Sequence, residues 1–115
     1  MNNVQVGSIG ENLAKDYLIR NGYEILDTNV RFSRYCELDI VAKKKNTIVF
    51  VEVKTRKNTD FGSPAEAVTL TKYNNIKKGV YFYLQDKNIK YDRFQIDVIS
   101  IVLKPELKIE HLENI

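Results

Sequence analysis

Apolar residues recur along this chain at two different spacings, and each spacing predicts a type of element. Near the amino terminus they recur every three or four residues, as on one face of a helix: Leu13, Ala14, Tyr17 and Leu18. This pattern predicts a first helix from about residues 6–8 to residue 20. Gly22 should close it, because glycine readily takes the left-handed conformation found after helix ends. Glu11 lies at the edge of the apolar arc, so we expect it along the seam on which the helix packs.

Three extended runs follow, at residues 23–32, 35–43 and 47–56. The first has a polar interruption at residues 27–29. The second and third are joined by a short lysine-rich turn, residues 44–46, so they should be antiparallel neighbours. The third run is apolar on both faces over residues 48–51, which is typical of a central strand covered on both sides.

The second half of the chain predicts one more helix and one more strand. After a loop at residues 57–62, Ser63, Pro64 and Glu66 form a helix start with a capping box. The helix is either continuous from there or re-initiated near Thr71, and it should run to about residue 86. A last strand covers residues 93–103 and ends at Lys104-Pro105, because proline cannot extend the hydrogen-bond ladder.

The resulting order, α-β-β-β-α-β, predicts the α/β class with a mixed central sheet flanked by helices. The strand–helix–strand step near the end should be a right-handed parallel crossover. We expect a single domain over residues 1–103. Residues 104–115 form either a charged C-terminal tail or a short edge strand.

Composition changes this picture only a little. A chain of 115 residues with 43% hydrophobic residues is an ordinary single domain, and a net charge of +3 is compatible with nucleic acid without indicating it. The single cysteine, Cys36, excludes an intramolecular disulfide and suits a reducing compartment, and we expect it to be a small buried filler. No signal peptide and no bilayer-length apolar stretch are visible, so we expect a soluble, cytoplasmic protein with no membrane partner.

Acidic residues interrupt two predicted strands where core residues would normally stand. Asp39 lies in the second strand and Glu52 in the third. Residues two apart on a strand share a face, so Glu37 should lie beside Asp39. Two basic residues follow Glu52 at the same spacing: Lys54 and Arg56. If the short turn pairs the strands, Asp39 and Glu52 come close, and Glu11 can join them from the helix.

Such a cluster of carboxylates needs a counter-ion. Two carboxylates about 4 Å apart repel by roughly 4 kcal/mol at an effective dielectric constant of 20. Lys54 compensates part of this, and a divalent cation compensates more; oxygen ligands suit magnesium or manganese. Such a metal would lower the pKa of a bound water, while Lys54 orients that water or stabilises the developing charge. The pattern therefore indicates phosphodiester hydrolysis.

The same residues also have plainer interpretations. Glu52 and Lys54 could form an ordinary ion pair on one face of a strand, with Asp39 as a satisfied core acid. Glu37 could support a metal site from the second shell, or it could pair with a nearby arginine, Arg31 or Arg34.

Several polar residues lie outside the acidic cluster. Arg31, Arg56 and Lys72 are candidates for contacts with nucleic-acid phosphates, although Arg56 and Lys72 could equally be solvated or paired with acids. We expect Asp97 to be structural. We expect His111, in the tail, to be exposed and without a role.

An ordered set of motifs extends over residues 7–101: Gly10-Glu11-x-x-Ala14, Gly22-Tyr23, Asn29-x-Arg31, Glu37-Leu38-Asp39-Ile40-Val41-Ala42, Val49-Phe50-Val51-Glu52-Val53-Lys54-x-Arg56, Gly62-Ser63-Pro64-x-Glu66-Ala67-Val68, Lys72 and Arg93-Phe94-x-x-Asp97-Val98. The set resembles the bacterial YraN family of small endonucleases. That family belongs to the PD-(D/E)XK nuclease superfamily and is similar to archaeal Holliday junction resolvases. The resemblance implies a restriction-endonuclease-like core.

The resemblance also implies an activity and a site. Asp39 and Glu52 would bind Mg²⁺ or Mn²⁺ with help from the Val53 carbonyl, Glu11 would act at the outer shell of the metal, and Lys54 would be the catalytic lysine. The implied function is a metal-dependent endonuclease acting on DNA, including branched or otherwise structured DNA. Junction resolvases need two active sites for symmetric cuts, so a homodimer is expected.

Two other functions stay open. One is a nucleic-acid-binding module that keeps the nuclease fold without cutting, and the other is an RNA-directed nuclease. Retention of both acids and the lysine favours an enzyme. The modest net charge favours either the binding module or a dimer with a larger basic surface.

Overall fold

The computed structural model describes residues 2–59 and 68–115. Its elements, in chain order, are α1 (Asn3–Arg20), β1 (Glu24–Arg31), β2 (Glu37–Lys44), β3 (Thr47–Arg56), α2 (Leu70–Asp86), β4 (Arg93–Val102) and β5 (Lys108–Leu112). This order confirms the predicted α/β class. Neither helix of the described residues is long and apolar enough to cross a membrane.

The five strands form one mixed sheet in the order β1-β2-β3-β4-β5. β3 pairs antiparallel with β2 and parallel with β4, as the short turn and the intervening helix predict. β5 pairs antiparallel with β4, so residues 108–112 of the tail form the edge strand. The predicted bounds of β3 are confirmed, and those of β4 differ by one residue.

Two helices cover opposite faces of this sheet, which explains why β3 is apolar on both. On one face, α1 packs Ala14 and Leu18 against a set that includes Val49 and Val51 of β3. On the other face, α2 packs its buried residues against a set that includes Ile48 and Phe50: Ile76, Val80 and Tyr83. The predicted apolar seam of the first helix is thereby confirmed.

The ends of the helices follow from their capping residues. α1 begins earlier than predicted, because Asn2 and Gln5 form a capping box in which each side chain accepts from the other's backbone N–H. Gly22 has a φ of 88°, as its predicted left-handed role requires. α2 begins at Leu70 after an N-cap at Thr69, in agreement with re-initiation near Thr71. The predicted helix start at residues 63–66 lies outside the described residues.

Strict alternation of side chains fails in β2, next to Asp39. Leu38 belongs to the apolar cluster on the α2 face, whereas Ile40, two residues later, belongs to the cluster on the α1 face. The neighbouring strand is irregular at the same level, because Asn29, which lies across from Asp39, has a left-handed φ of 51°. The predicted polar interruption at residues 27–29 is therefore a local distortion within a continuous strand.

Candidate metal and catalytic site

The candidate site lies where strands β2 and β3 separate. The last backbone pair of their ladder is Ile40 with Val51, so an extended ladder would next pair Asp39 with Glu52. Instead, Oδ2 of Asp39 accepts a hydrogen bond from the backbone N–H of Val53 at 2.9 Å. The side chains of Asp39 and Glu52 come close enough for a protonated Glu52 to donate to Asp39. The structure thus brings these two predicted acids together.

Both carboxyl groups are held in surroundings that oppose their charge. Glu52 is only 8% exposed, and burial, followed by the charge of Asp39, raises its pKa to about 7. Burial also raises the pKa of Asp39, while the Val53 N–H and the charge of Lys72 act in the opposite direction. Nearby positive charge therefore does not fully compensate the ionised forms of the two acids. A cation bound between them would supply that charge.

Two lysines are candidates for a role beside Glu52, and only Lys72 contacts it. Nζ of Lys72 lies 3.3 Å from Oε1 of Glu52, so Lys72 is paired with an acid in this structure. Lys72 is in the first turn of α2, where the helix dipole disfavours a cation, and Glu52 offsets that cost. Lys54 lies two residues after Glu52 and is exposed. Within residues 2–59 and 68–115, no carboxylate forms an ion pair with it.

Glu11 reaches the site from α1. Its Oε1 accepts a hydrogen bond from Nδ2 of Asn29 at 2.6 Å. Burial raises its pKa, and the charges of Asp39 and Glu37 add to the effect, so Glu11 lies within electrostatic range of Asp39. Gly10 permits this approach, because a Cβ at that position would overlap the side chain of Thr55 on β3.

Glu11 is nevertheless more distant than a direct ligand. In the described part of the chain, three His, Cys, Asp or Glu ligand atoms come within 4.8 Å of one another only at Asp97, His111 and Glu113. Asp39 and Glu52 therefore form a two-carboxylate centre, and Glu11 stands outside it. The outer-shell role that the family resemblance implies for Glu11 stays a prediction.

The remaining candidates lie around this centre. Arg31 forms an ion pair with Glu37, with Nη2 3.0 Å from Oε2. Pairing with an arginine was one of the two predicted roles of Glu37. Arg56 is partly buried at the carboxyl end of β3. Cys36 is buried, as predicted.

A second polar network, absent from our predictions as a unit, joins the tail to the sheet. Asp97 is fully buried and accepts from three groups: Nε2 of Gln95 at 2.9 Å, the backbone N–H of Asn114 at 2.9 Å and Nε2 of His111 at 2.7 Å. Nδ1 of His111 is 2.9 Å from the hydroxyl of Tyr17. The structural role predicted for Asp97 agrees with these contacts.

The expectation that His111 is exposed and without a role is wrong. Its side chain is only 9% exposed, because β5 pairs with β4 and sets His111 opposite Ile99, on the face that α1 covers. The signal that could have found it is Asp97, since a buried carboxylate in a central strand needs hydrogen-bond donors. Because three donors hold Asp97 and both ring nitrogens of His111 have partners, we assign this network to the fold.

The fold and the site together define a class: a small α/β protein whose mixed sheet holds a close Asp-Glu pair and a nearby lysine where two inner strands separate. Within that class the chain belongs to the UPF0102 family, because the model of "Uncharacterised protein family UPF0102" matches residues 10–101. This membership confirms the family part of the YraN resemblance. The matched range contains Glu11, Asp39, Glu52 and Lys54, whereas His111 lies beyond it.

Relatives from several bacteria are similar over nearly the whole chain. A "UPF0102 protein" of Syntrophomonas wolfei is 46% identical over 97% of this chain and 97% of its own length. Another, from Dictyoglomus turgidum, is 39% identical over 99% of this chain and 98% of its own. A third, from Caldicellulosiruptor bescii, is 49% identical over 90% and 87%, respectively.

Proposed function

We propose that this protein is a metal-dependent endonuclease that hydrolyses phosphodiester bonds in DNA, including branched or otherwise structured DNA. The observation that carries the proposal is the close pair of half-buried Asp39 and buried Glu52, with the exposed Lys54 two residues after Glu52 on β3. Two carboxylates this close repel each other and destabilise the fold unless a positive charge compensates them. Groups in such surroundings are common at functional sites.

The donor set fits a hard divalent cation. Asp39 and Glu52 offer carboxylate oxygens from adjacent strands, and the Val53 carbonyl could add a third oxygen, which is the chemistry that Mg²⁺ or Mn²⁺ prefers. Glu11 would hold a water at the outer shell. When bound, the metal would supply Lewis-acid stabilisation of the phosphate and a more acidic water.

The lysines have separate tasks in this proposal. Lys54 is exposed and follows Glu52 by two positions on β3, so we assign its ammonium to hold the attacking water or a non-bridging phosphate oxygen. Lys72 neutralises Glu52 in the metal-free protein and is released when a cation takes its place. It can then contact the DNA backbone together with Arg31 and Arg56. We further propose a cytoplasmic protein that acts as a homodimer.

The test is a cleavage assay with four-way-junction, flap and linear DNA in Mg²⁺ or Mn²⁺. Wild type is compared with Asp39→Asn and Lys54→Ala, and with Lys45→Ala as a matched control, an exposed lysine in the β2–β3 turn. We expect metal-dependent cutting in wild type and control, and at least about 100-fold slower cutting in the two site variants. Equal cutting in all four proteins would identify a contaminating nuclease and refute the assignment.

One observation favours a non-catalytic nucleic-acid-binding module. The ion pair between Lys72 and Glu52 compensates the acidic pair without any metal. Binding that weakens steeply with salt, with no cutting of either DNA or RNA, would establish that alternative. Cutting of RNA alone would instead establish an RNA-directed nuclease.

A further inference from the structure

The loop between β1 and β2 holds two side chains at a closed tip. The backbone N–H of Phe32 donates to the carbonyl of Cys36 at 2.9 Å, and the N–H of Cys36 donates to the carbonyl of Ser33 at 3.3 Å. Arg34 and Tyr35 lie between these bonds. The backbone N–H of Tyr35 also donates to Oγ of Ser33 at 3.3 Å, so the tip has a defined conformation.

Tyr35 points into solvent although it carries a large aromatic ring. It is 68% exposed, and Cζ of Arg34 lies 5.6 Å from the centre of its ring. Among the described residues, no other aromatic ring packs against it. A flat ring with one cation alongside is the arrangement that single-stranded nucleic-acid sites use to stack a base and hold its phosphate.

This tip stands at the same end of the sheet as the candidate centre. β2 begins at Glu37, two residues after Tyr35, and Asp39 follows two residues later. Tyr35 and Asp39 are four residues apart, so at most about 13 Å of chain separates them, the length of about four stacked nucleotides of one DNA strand. Tyr91 offers a contrast, because it precedes β4 at the opposite end, where Arg93 pairs with Thr47.

We propose that Tyr35, flanked by Arg34, stacks on an unpaired base close to the scissile phosphate. The inference rests on the proposed nuclease function and defines its substrate as DNA with an unpaired or splayed base beside the cut. In continuous duplex DNA both faces of each base are covered by its neighbours, so such a substrate offers nothing for the ring to stack on. A branch, flap or bulge exposes a base face.

The chain contains no tryptophan, so Tyr35→Trp creates a single fluorescent reporter at the tip. Tyr91→Trp is the matched control at the far end of the sheet. Each protein is titrated in EDTA, which prevents cutting, with flap DNA and with fully paired duplex, while anisotropy of labelled DNA records binding. We expect flap DNA to change the fluorescence of the Tyr35→Trp protein strongly and duplex to change it little. The Tyr91→Trp signal should stay constant with both.

Stacking also predicts a difference between two small substitutions. Tyr35→Phe keeps the ring, whereas Tyr35→Leu keeps only an apolar side chain. We expect Tyr35→Leu to weaken flap binding by about 5- to 150-fold, the range for loss of one base–aromatic stack, and Tyr35→Phe to bind like wild type. Duplex affinity should be equal in all three proteins. If Tyr35 only supported the fold, Tyr35→Leu would weaken the binding of flap and of duplex DNA equally.

The results separate this inference from the proposed function. Normal metal-dependent cutting, with flap binding unaffected by Tyr35→Leu or with equal fluorescence changes at positions 35 and 91, would overturn the stacking role alone. Absence of both DNA binding and cutting in wild type would overturn both proposals.

Discussion

Oδ2 of Asp39 accepts a hydrogen bond from the backbone N–H of Val53 at 2.9 Å. This bond replaces the backbone pairing that would otherwise set Asp39 opposite Glu52, since the ladder of β2 and β3 ends at Ile40 and Val51. One oxygen of Asp39 is therefore fixed by the fold. The arrangement positions a carboxylate at the separating strands before any ligand binds, and its two functions can be tested separately.

Asp39→Asn should separate folding from metal binding. Asparagine keeps an oxygen for the Val53 N–H, so the fold is retained, but it removes the charge that a cation would meet. We expect metal affinity to fall at least about 10- to 100-fold, with little change in the melting temperature. Asp39→Ala also leaves the Val53 N–H without its acceptor, which should cost about 1–3 kcal/mol of stability. Calorimetric titration with Mn²⁺ and thermal unfolding measure the two effects, and wild-type affinity in Asp39→Asn would contradict the ligand role.

The stability of the metal-free protein should fall as pH rises through the window from about 4.5 to 7. Burial raises the pKa of Glu52 from 4.5 to about 7, so the folded state holds a proton that the unfolded state releases. Each pKa unit corresponds to 1.36 kcal/mol, so the loss is on the order of 3 kcal/mol. Urea unfolding in EDTA between pH 5 and pH 8 measures it.

Glu52→Gln is the matched control for this pH dependence, because it cannot ionise and should make the profile less steep by removing the contribution of Glu52. Added Mg²⁺ or Mn²⁺ should stabilise wild type increasingly across the same window, since bound carboxylates must lose their protons. A metal-free stability that rises between pH 5 and pH 7 would contradict the shifted pKa.

Removal of the Lys72 ammonium should strengthen metal binding. Lys72 occupies the Glu52 carboxylate at 3.3 Å, so it competes with a cation for the same oxygen. Lys72→Met keeps the length of the side chain; we expect the metal-free protein to lose on the order of 1 kcal/mol and the metal affinity to rise several-fold. Lys78→Met, an exposed lysine of the same helix, serves as the control. Weaker metal binding in Lys72→Met would show that Lys72 supports the cation site instead.

Strand patterns and the short turn predicted that Asp39 and Glu52 lie close together. They could not predict which side chains from other elements contact the pair. Asp39 and Glu52 sit on strands joined by a short turn, so their approach follows from hairpin geometry alone. The contact of Lys72 with Glu52 depends on how α2 packs on the sheet, and Gly79 of α2 sits directly over Leu38 of β2. No spacing in the sequence encodes that contact.

The other departures have the same origin. The alternation of side chains between the two faces fails at Asp39, where Asn29 on the neighbouring strand has a left-handed conformation. Asparagine can adopt this conformation, but its presence in the sequence does not predict it. The side chain of His111 is largely covered because the weakly alternating tail pairs with β4, which precedes it in the sequence. Both are consequences of long-range pairing, which single-strand patterns do not specify.

His111→Ala should destabilise the fold without touching the acidic pair. It removes the only donor to Oδ2 of Asp97 found in the described structure and frees the hydroxyl of Tyr17. Loss of a hydrogen bond to a fully buried carboxylate should cost about 2–3 kcal/mol. Glu110→Ala, on the same edge strand, removes only a partly exposed ion pair with Lys108 and should cost less than about 1 kcal/mol. If both variants lost the same free energy of unfolding, the buried network would contribute no more to stability than an exposed ion pair.

Two glycine substitutions in α1 should have effects of opposite sign. A Cβ at Gly7 meets no atom within 4 Å, so Gly7→Ala should stabilise the protein by about 0.8–1.0 kcal/mol through helix propensity. A Cβ at Gly10 would overlap the side chain of Thr55, so Gly10→Ala should destabilise by about 1–3 kcal/mol as the helix is pushed off β3. Chemical unfolding measures both changes.

The displacement in Gly10→Ala also moves Glu11, which is tied to Asn29 across the seam. We therefore expect slower metal-dependent cutting in Gly10→Ala even at temperatures where the variant is fully folded, and unchanged cutting in Gly7→Ala. Glu11→Gln provides the comparison, because it removes the charge without moving the helix. Suppose that Gly10→Ala cuts DNA normally while Glu11→Gln does not. The role of Glu11 in cutting would then not require the exact position of α1, and the close packing at Gly10 would contribute to stability alone.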